Sequence, residues 1–124
     1  MGGVRRFICI LGAIVLTAFA SRIPSSFAAD PDGAAKTLMS DRCAVCHGDT
    51  GDGQGPTAAS MNPPPRNFHD AKWQKSVSDK TLAKAIVDGG SAVGVSASMP
   101  GNPDLANRPD VVAAMVKQIR AWGK

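Results

Sequence analysis

A chain of 124 residues holds one small domain, and its formal charge of +4 belongs to a sequence whose first 28 residues read as an export signal. Without that segment the 14 basic residues fall to 11, against 10 acidic ones. A net charge of +1 gives no basis for nucleic-acid binding or for attraction to a membrane surface.

The leader opens with Arg5 and Arg6, continues as an apolar run from Phe7 to Ala20, and ends in Ser26-Phe27-Ala28, a small-x-small cleavage site. The run has 14 residues, short of the roughly 20 that a membrane-spanning helix needs. Cleavage after Ala28 is expected, which places residues 29–124 in the periplasm as one domain with no stable membrane insertion. An uncleaved N-terminal anchor is the alternative. Cys9 leaves with the leader, so the mature chain keeps Cys43 and Cys46 as its only cysteines. Phe68, Trp73 and Trp122 are its only aromatics. A domain of this size buries only about 60–65% of its unfolded surface, and a disulfide closing so short a loop would add little constraint. Something else must supply apolar volume.

The first predicted helix runs from about Ala34 to His47, with Asp30 or Asp32 placed to cap it and Ala35, Leu38, Met39, Arg42, Cys43 and Cys46 at helical spacing. It ends in "CAVCH", the pattern of covalent c-type haem attachment. On a helix, positions i, i+3 and i+4 project to one side. Two thiols can then form thioethers with one edge of a porphyrin, while His47 ligates the iron. One haem c would also fill the missing core. A structural zinc site needs four ligands, usually from two separated pairs, and the mature chain offers only Cys43, Cys46, His47 and His69. A redox Cys-x-x-Cys pair wants a βαβ context, which is absent. A plain disulfide is the remaining alternative.

Gly51, Gly53 and Gly55 follow, in a loop that superficially suggests a phosphate cradle. Such loops leave a strand and open a helix, whereas this one leaves the haem motif and leads into Pro56. A turn that clears the His47 side without crowding it fits better. Asn62-Pro63-Pro64-Pro65 is a stiff extended turn. The second predicted helix begins after the N-cap Ser78, runs from Asp79 to Asp88 with Leu82, Ala85 and Ile86 inward, and stops at Gly89-Gly90. Val93-Gly94-Val95 alternates, but is too short and glycine-rich for a strand. The third helix starts near Pro109 and continues nearly to Trp122, with Val112, Met115, Val116, Ile119 and Trp122 as its buried stripe. The expected class is all-α, about three main helices around one covalently bound haem.

With these pieces assembled, the chain resembles the class I c-type cytochromes, small monohaem proteins. The matching stretches are "CAVCHGDTGDGQGP", the Met-Pro within "GVSASMPGNPDL" and the closing "RPDVVAAMVKQIRAWGK", so the likeness covers residues 32–124. It implies electron transfer, haem attachment after export, and a terminal helix pair beside the haem. Met99 lies 52 residues after His47, in a Gly/Ser-rich loop with Pro100 behind it, and matches the family's second iron ligand. Met39 and Met115 belong to helices, and Met61 follows His47 by only 14 positions. His69 is the rival, in a bis-His site. The likeness also implies a backbone carbonyl from a Pro-bearing loop on the proximal imidazole, here from Pro63 or a neighbour, with Arg66, Asn67 and Trp73 as candidates for the haem propionates.

These readings converge on an exported monohaem electron carrier, a monomer with both iron positions filled, serving donor and acceptor proteins in a bacterial redox chain. The alternative is a haem-bearing subunit of a larger respiratory complex. An enzyme would need acid–base groups beside an open iron position, and the chain contains no Glu. Lys72, Lys75, Lys80 and Lys84 cluster near the second helix, by default a solvated face, alternatively a docking patch for an acidic partner.

Overall fold

The computed structural model describes residues 30–124, so the expected leader, with its cleavage site, lies outside the described residues. A continuous helical run carries the chain from Pro31 to His47 in three parts: α1 (Pro31–Leu38), a π turn (Met39–Cys43) and α2 (Ala44–His47). Pro31 occupies the first turn, where its missing N–H costs nothing. Asp30 is the N-cap residue, yet its side chain makes no capping bond. Asp32 sits in the first turn and instead reaches Lys117 at 3.2 Å. In the π turn the Ala44 N–H donates to the Met39 carbonyl, five residues back. The wider turn was not anticipated. It runs into the cysteine motif, ending on Cys43, the motif's first residue.

Helix α3 (Ala71–Ser76) was also not expected. Its start is fixed by Asp70, whose carboxylate accepts from the N–H groups of Lys72 and Trp73. Helix α4 (Asp79–Asp88) has the expected bounds. The Ser78 hydroxyl accepts from the Thr81 N–H at 3.1 Å, and Gly89, at φ 85°, ends it. Val93 belongs to a 3₁₀ turn, Gly90–Val93, and there is no strand among the described residues. Helix α5 (Pro109–Trp122) matches its prediction as well.

The interior lies where α5 crosses α1 and α4, its most extensive helical neighbours. Val112, Met115, Val116 and Ile119 are buried as the stripe predicts, joined by Val111. Leu82 and Ile86 of α4, and Ala35 and Met39 of the first run, close the other sides. Gln74 and Arg120 tie α3 to the terminal helix. The Gln74 amide donates to the carbonyls of Phe68 (2.7 Å) and Ile119 (2.8 Å), and Arg120 donates to the carbonyls of Gln74 and Val77, both at 2.7 Å. No helix among the described residues is long and apolar enough to cross a membrane.

Candidate functional site

The last turn of the first helical run brings Cys43, Cys46 and His47 together, the two cysteines as half-buried free thiols. Burial pushes the Cys43 thiol above its ordinary range, opposed in part by the neighbouring Arg42 charge. The Cys46 sulfur lies 3.4 Å from the Thr57 hydroxyl.

A helix end leaves four carbonyls without intrahelical partners. Here the glycine loop supplies them. The Gly48 N–H reaches the Ala44 carbonyl at 2.9 Å, Thr57 reaches Val45 at 3.1 Å, Gly55 reaches Cys46 at 3.0 Å and Gly53 reaches His47 at 2.7 Å. The Thr57 hydroxyl adds a second bond to Val45, at 2.9 Å. The chain therefore winds back along the helix end so closely that a β-carbon at residue 55 would strike the Ala44 and Val45 carbonyl oxygens. These amides are engaged on the helix and do not cradle a phosphate. Their effect is to hold the haem-motif turn rigid while its side chains stay clear.

His47 is oriented through its ring nitrogen Nδ1, 3.0 Å from the Arg66 carbonyl. A carbonyl only accepts, so Nδ1 carries the proton and the neutral ring presents its lone pair at Nε2. Burial keeps the imidazole below its ordinary pKa, the bond to Arg66 working in the opposite direction. The expected proximal carbonyl thus exists but comes from Arg66, the residue directly after the Pro63-Pro64-Pro65 run. Pro63 makes no such bond. The imidazole face packs on the Phe68 ring, centroids 4.4 Å apart and planes 16° from parallel. Phe68 stacks in turn with Trp73 at 5.5 Å and with Trp122 at 5.7 Å. Nothing in the linear pattern marked Phe68 as a neighbour of His47.

Met99 is half-buried on a separate segment, the loop between α4 and α5. Its carbonyl accepts from the Gly90 N–H at 3.0 Å and its own N–H donates to Ser96 at 3.2 Å. Asn102 pins the loop to the end of α4, its N–H and side-chain amide both donating to Ile86. Arg42, beside Cys43, donates to Asn102 at 3.1 Å and to Asp104 at 3.0 Å, joining the two segments. Met39 and Met115 are core side chains, only 6% and 1% exposed. The exposed His69 donates from Nε2 to the Thr50 carbonyl at 2.9 Å, within the loop that follows His47. Of the propionate candidates, Asn67 accepts from the His69 N–H at 2.8 Å, Trp73 is a half-buried packing aromatic, and Arg66 is exposed. Lys72, Lys75, Lys80 and Lys84 are all exposed, Lys84 paired with Asp88 at 2.7 Å.

The donor set fits a c-type haem: two free thiols one turn apart, and an adjacent imidazole whose tautomer frees Nε2. Among the described residues no group of three or more His, Cys, Asp or Glu is arranged to hold a metal ion by itself. The family model for cytochrome c matches residues 33–119, well over half of the chain. No curated protein matches the chain.

Proposed function

The chain belongs to the cytochrome c family, and we propose that it is an exported one-electron carrier holding a single haem c. Thioethers from Cys43 and Cys46 would attach the group, and His47 Nε2 and the Met99 thioether would ligate its iron. Bound haem supplies a ferric–ferrous couple, the chemistry on which this family's electron transfer rests. The protein's part is to place ligands, to keep the His47 ring neutral and oriented, and to limit water at the site.

The observation that carries the reading is the "CAVCH" turn with His47 Nδ1 engaged by Arg66 and Nε2 left as the lone-pair nitrogen. For the second ligand, the bond from His69 Nε2 to Thr50 engages that ring within the loop that follows His47. Ligation through Nε2 would require His69 to give up both the proton there and its bond to Thr50. Met99 needs no such exchange, and its loop is already tied to the motif helix through Arg42 and Asn102. With both axial positions filled by protein, the chain serves as a carrier rather than an enzyme, passing electrons between proteins of the periplasm.

The test begins with the purified exported protein. Haem stain should survive denaturation, and the ferric spectrum should show the far-red band of a sulfur-ligated low-spin haem. Met99→Ala should abolish the band and His69→Ala should keep it. A band that survives Met99→Ala would remove Met99 from the site, and stain lost on denaturation would remove the covalent haem.

A further inference from the structure

The contacts around His47 carry an inference that deepens this reading and rests on His47 being an iron ligand. A hydrogen bond at Nδ1 fixes one edge of an imidazole. It still tolerates some tilt of the ring about the Cβ–Cγ bond, because a carbonyl accepts over a broad range of directions. A second contact, on the ring face, removes that freedom. Phe68 makes it, at 4.4 Å and 16°, a near-parallel stack at the short limit of the spacing at which aromatic rings attract.

Phe68 is itself held from several directions. It is 6% exposed. Trp122 stacks on it 7° from parallel and Trp73 at 29°. Its N–H donates to the Gly51 carbonyl at 2.7 Å, and its carbonyl accepts from Gln74 at 2.7 Å. Gly51 has no room for a side chain, since a β-carbon there would strike the Trp122 ring and lie 2.9 Å from the Phe68 ring. Gln74 is anchored to α5 through Ile119 and Arg120. One short segment thus brackets the imidazole, the Arg66 carbonyl at its edge and the Phe68 ring on its face, and the terminal helix holds the bracket in place.

We propose that Phe68 is a positioning residue that sets the plane of the His47 ring, and through it the ligand field and reduction potential of the bound iron. The orientation of an axial ring decides which iron orbitals it overlaps, and the groups that orient a ligand tune the metal behind it.

The test uses the holo-protein. Phe68→Leu keeps an apolar side chain but removes the flat face, and Phe68→Tyr restores a ring. Val112→Ala opens the core on α5 ten residues before Trp122, and serves as the control for general loosening. The readouts are the principal g-values of the ferric low-spin haem by electron paramagnetic resonance and the reduction potential by spectroelectrochemical titration. Phe68→Leu should shift and broaden the g-values and move the potential, Phe68→Tyr should return both toward wild type, and Val112→Ala should lower the urea midpoint without moving either. Should Phe68→Leu not accumulate, Phe68→Met carries the same expectation with a more adaptable side chain. Wild-type g-values and potential in a folded Phe68→Leu or Phe68→Met protein would overturn the positioning role, as would equal shifts in Val112→Ala. A wild-type protein lacking a histidine-ligated low-spin signal would instead overturn the ligand assignment beneath it.

Discussion

At the scale of single residues, His47 shows how burial and a main-chain acceptor act together. Burial holds the folded ring below its ordinary pKa of 6.5. As acid is added, the unfolded ring gains its proton first, so the unfolded state binds more protons and stability falls with pH. The contribution is present above about pH 6.5 and is lost on descending through the folded value; iron ligation, which also needs the unprotonated ring, acts in the same direction. Urea midpoints of the holo-protein should therefore decline between pH 7.5 and 5.5, above the range where carboxylates titrate, and should decline equally in His69→Gln. A flat profile would show that the buried imidazole is not the controlling group. Gly51 is the second sensitive position. Its φ of 75° is unfavourable for any other residue, and a β-carbon would collide with the Trp122 and Phe68 rings. Gly51→Ala should cost about 2–4 kcal/mol, left-handed strain and overpacking combined, measurable as a lowered urea midpoint. The gathering of Cys43, Cys46 and His47 on one turn was legible from spacing alone, because positions i, i+3 and i+4 of a helix share a side. The Arg66 carbonyl and the Phe68 face were not. A main-chain acceptor has no side-chain signature, and a stack between residues 47 and 68 depends on how the intervening loop returns.

At the scale of elements, legibility followed the strength of the end signals. Helices α4 and α5 were found with their bounds because Ser78, Gly89 and Pro109 punctuate them and their apolar stripes span several turns. Helix α3 has six residues, too few to display a period, and only the Asp70 cap announced it. The π turn had no sequence signal, since it changes how the backbone bonds rather than which face is apolar. Arg120 carries much of the order in this region, linking α5 to α3 and to the start of α4 through Gln74, Val77 and Asp79. Two of its four acceptors are main-chain oxygens, of Gln74 and Val77, that a truncated side chain would leave without this donor. Arg120→Met preserves most of the apolar stem and should still destabilise by about 2–3 kcal/mol, the range for hydrogen bonds to a charged group and the desolvated acceptors left behind. Chemical denaturation checks it, and an unchanged midpoint would mean that water replaces the guanidinium at no cost.

At the scale of the whole molecule the question is what holds so small a domain together. Among the described residues thirteen apolar ones are buried, three of them alanines and only one aromatic, which is a thin interior for a chain that orders a long loop between α2 and α3. The two described cysteines form no disulfide with each other. The five ion pairs among the described residues each have at least one well-exposed partner, and such pairs contribute about 0–1 kcal/mol each. What the loop does have is attachment to the motif turn: its amides bond the carbonyls of α2, and its Arg66 and Phe68 grip His47. The loop, the motif helix and α5 therefore meet at one turn, and a large apolar group fixed there would join all three. The haem expected at this turn is then as much a part of the core as of the function. A Cys43→Ser/Cys46→Ser chain stripped of haem should keep part of its far-ultraviolet helical signal while losing near-ultraviolet ellipticity, and its urea transition should become broad and shallow. A sharp transition at the midpoint of the holo-protein would show instead that the thirteen buried side chains suffice, and that the haem is added to a domain already stable without it.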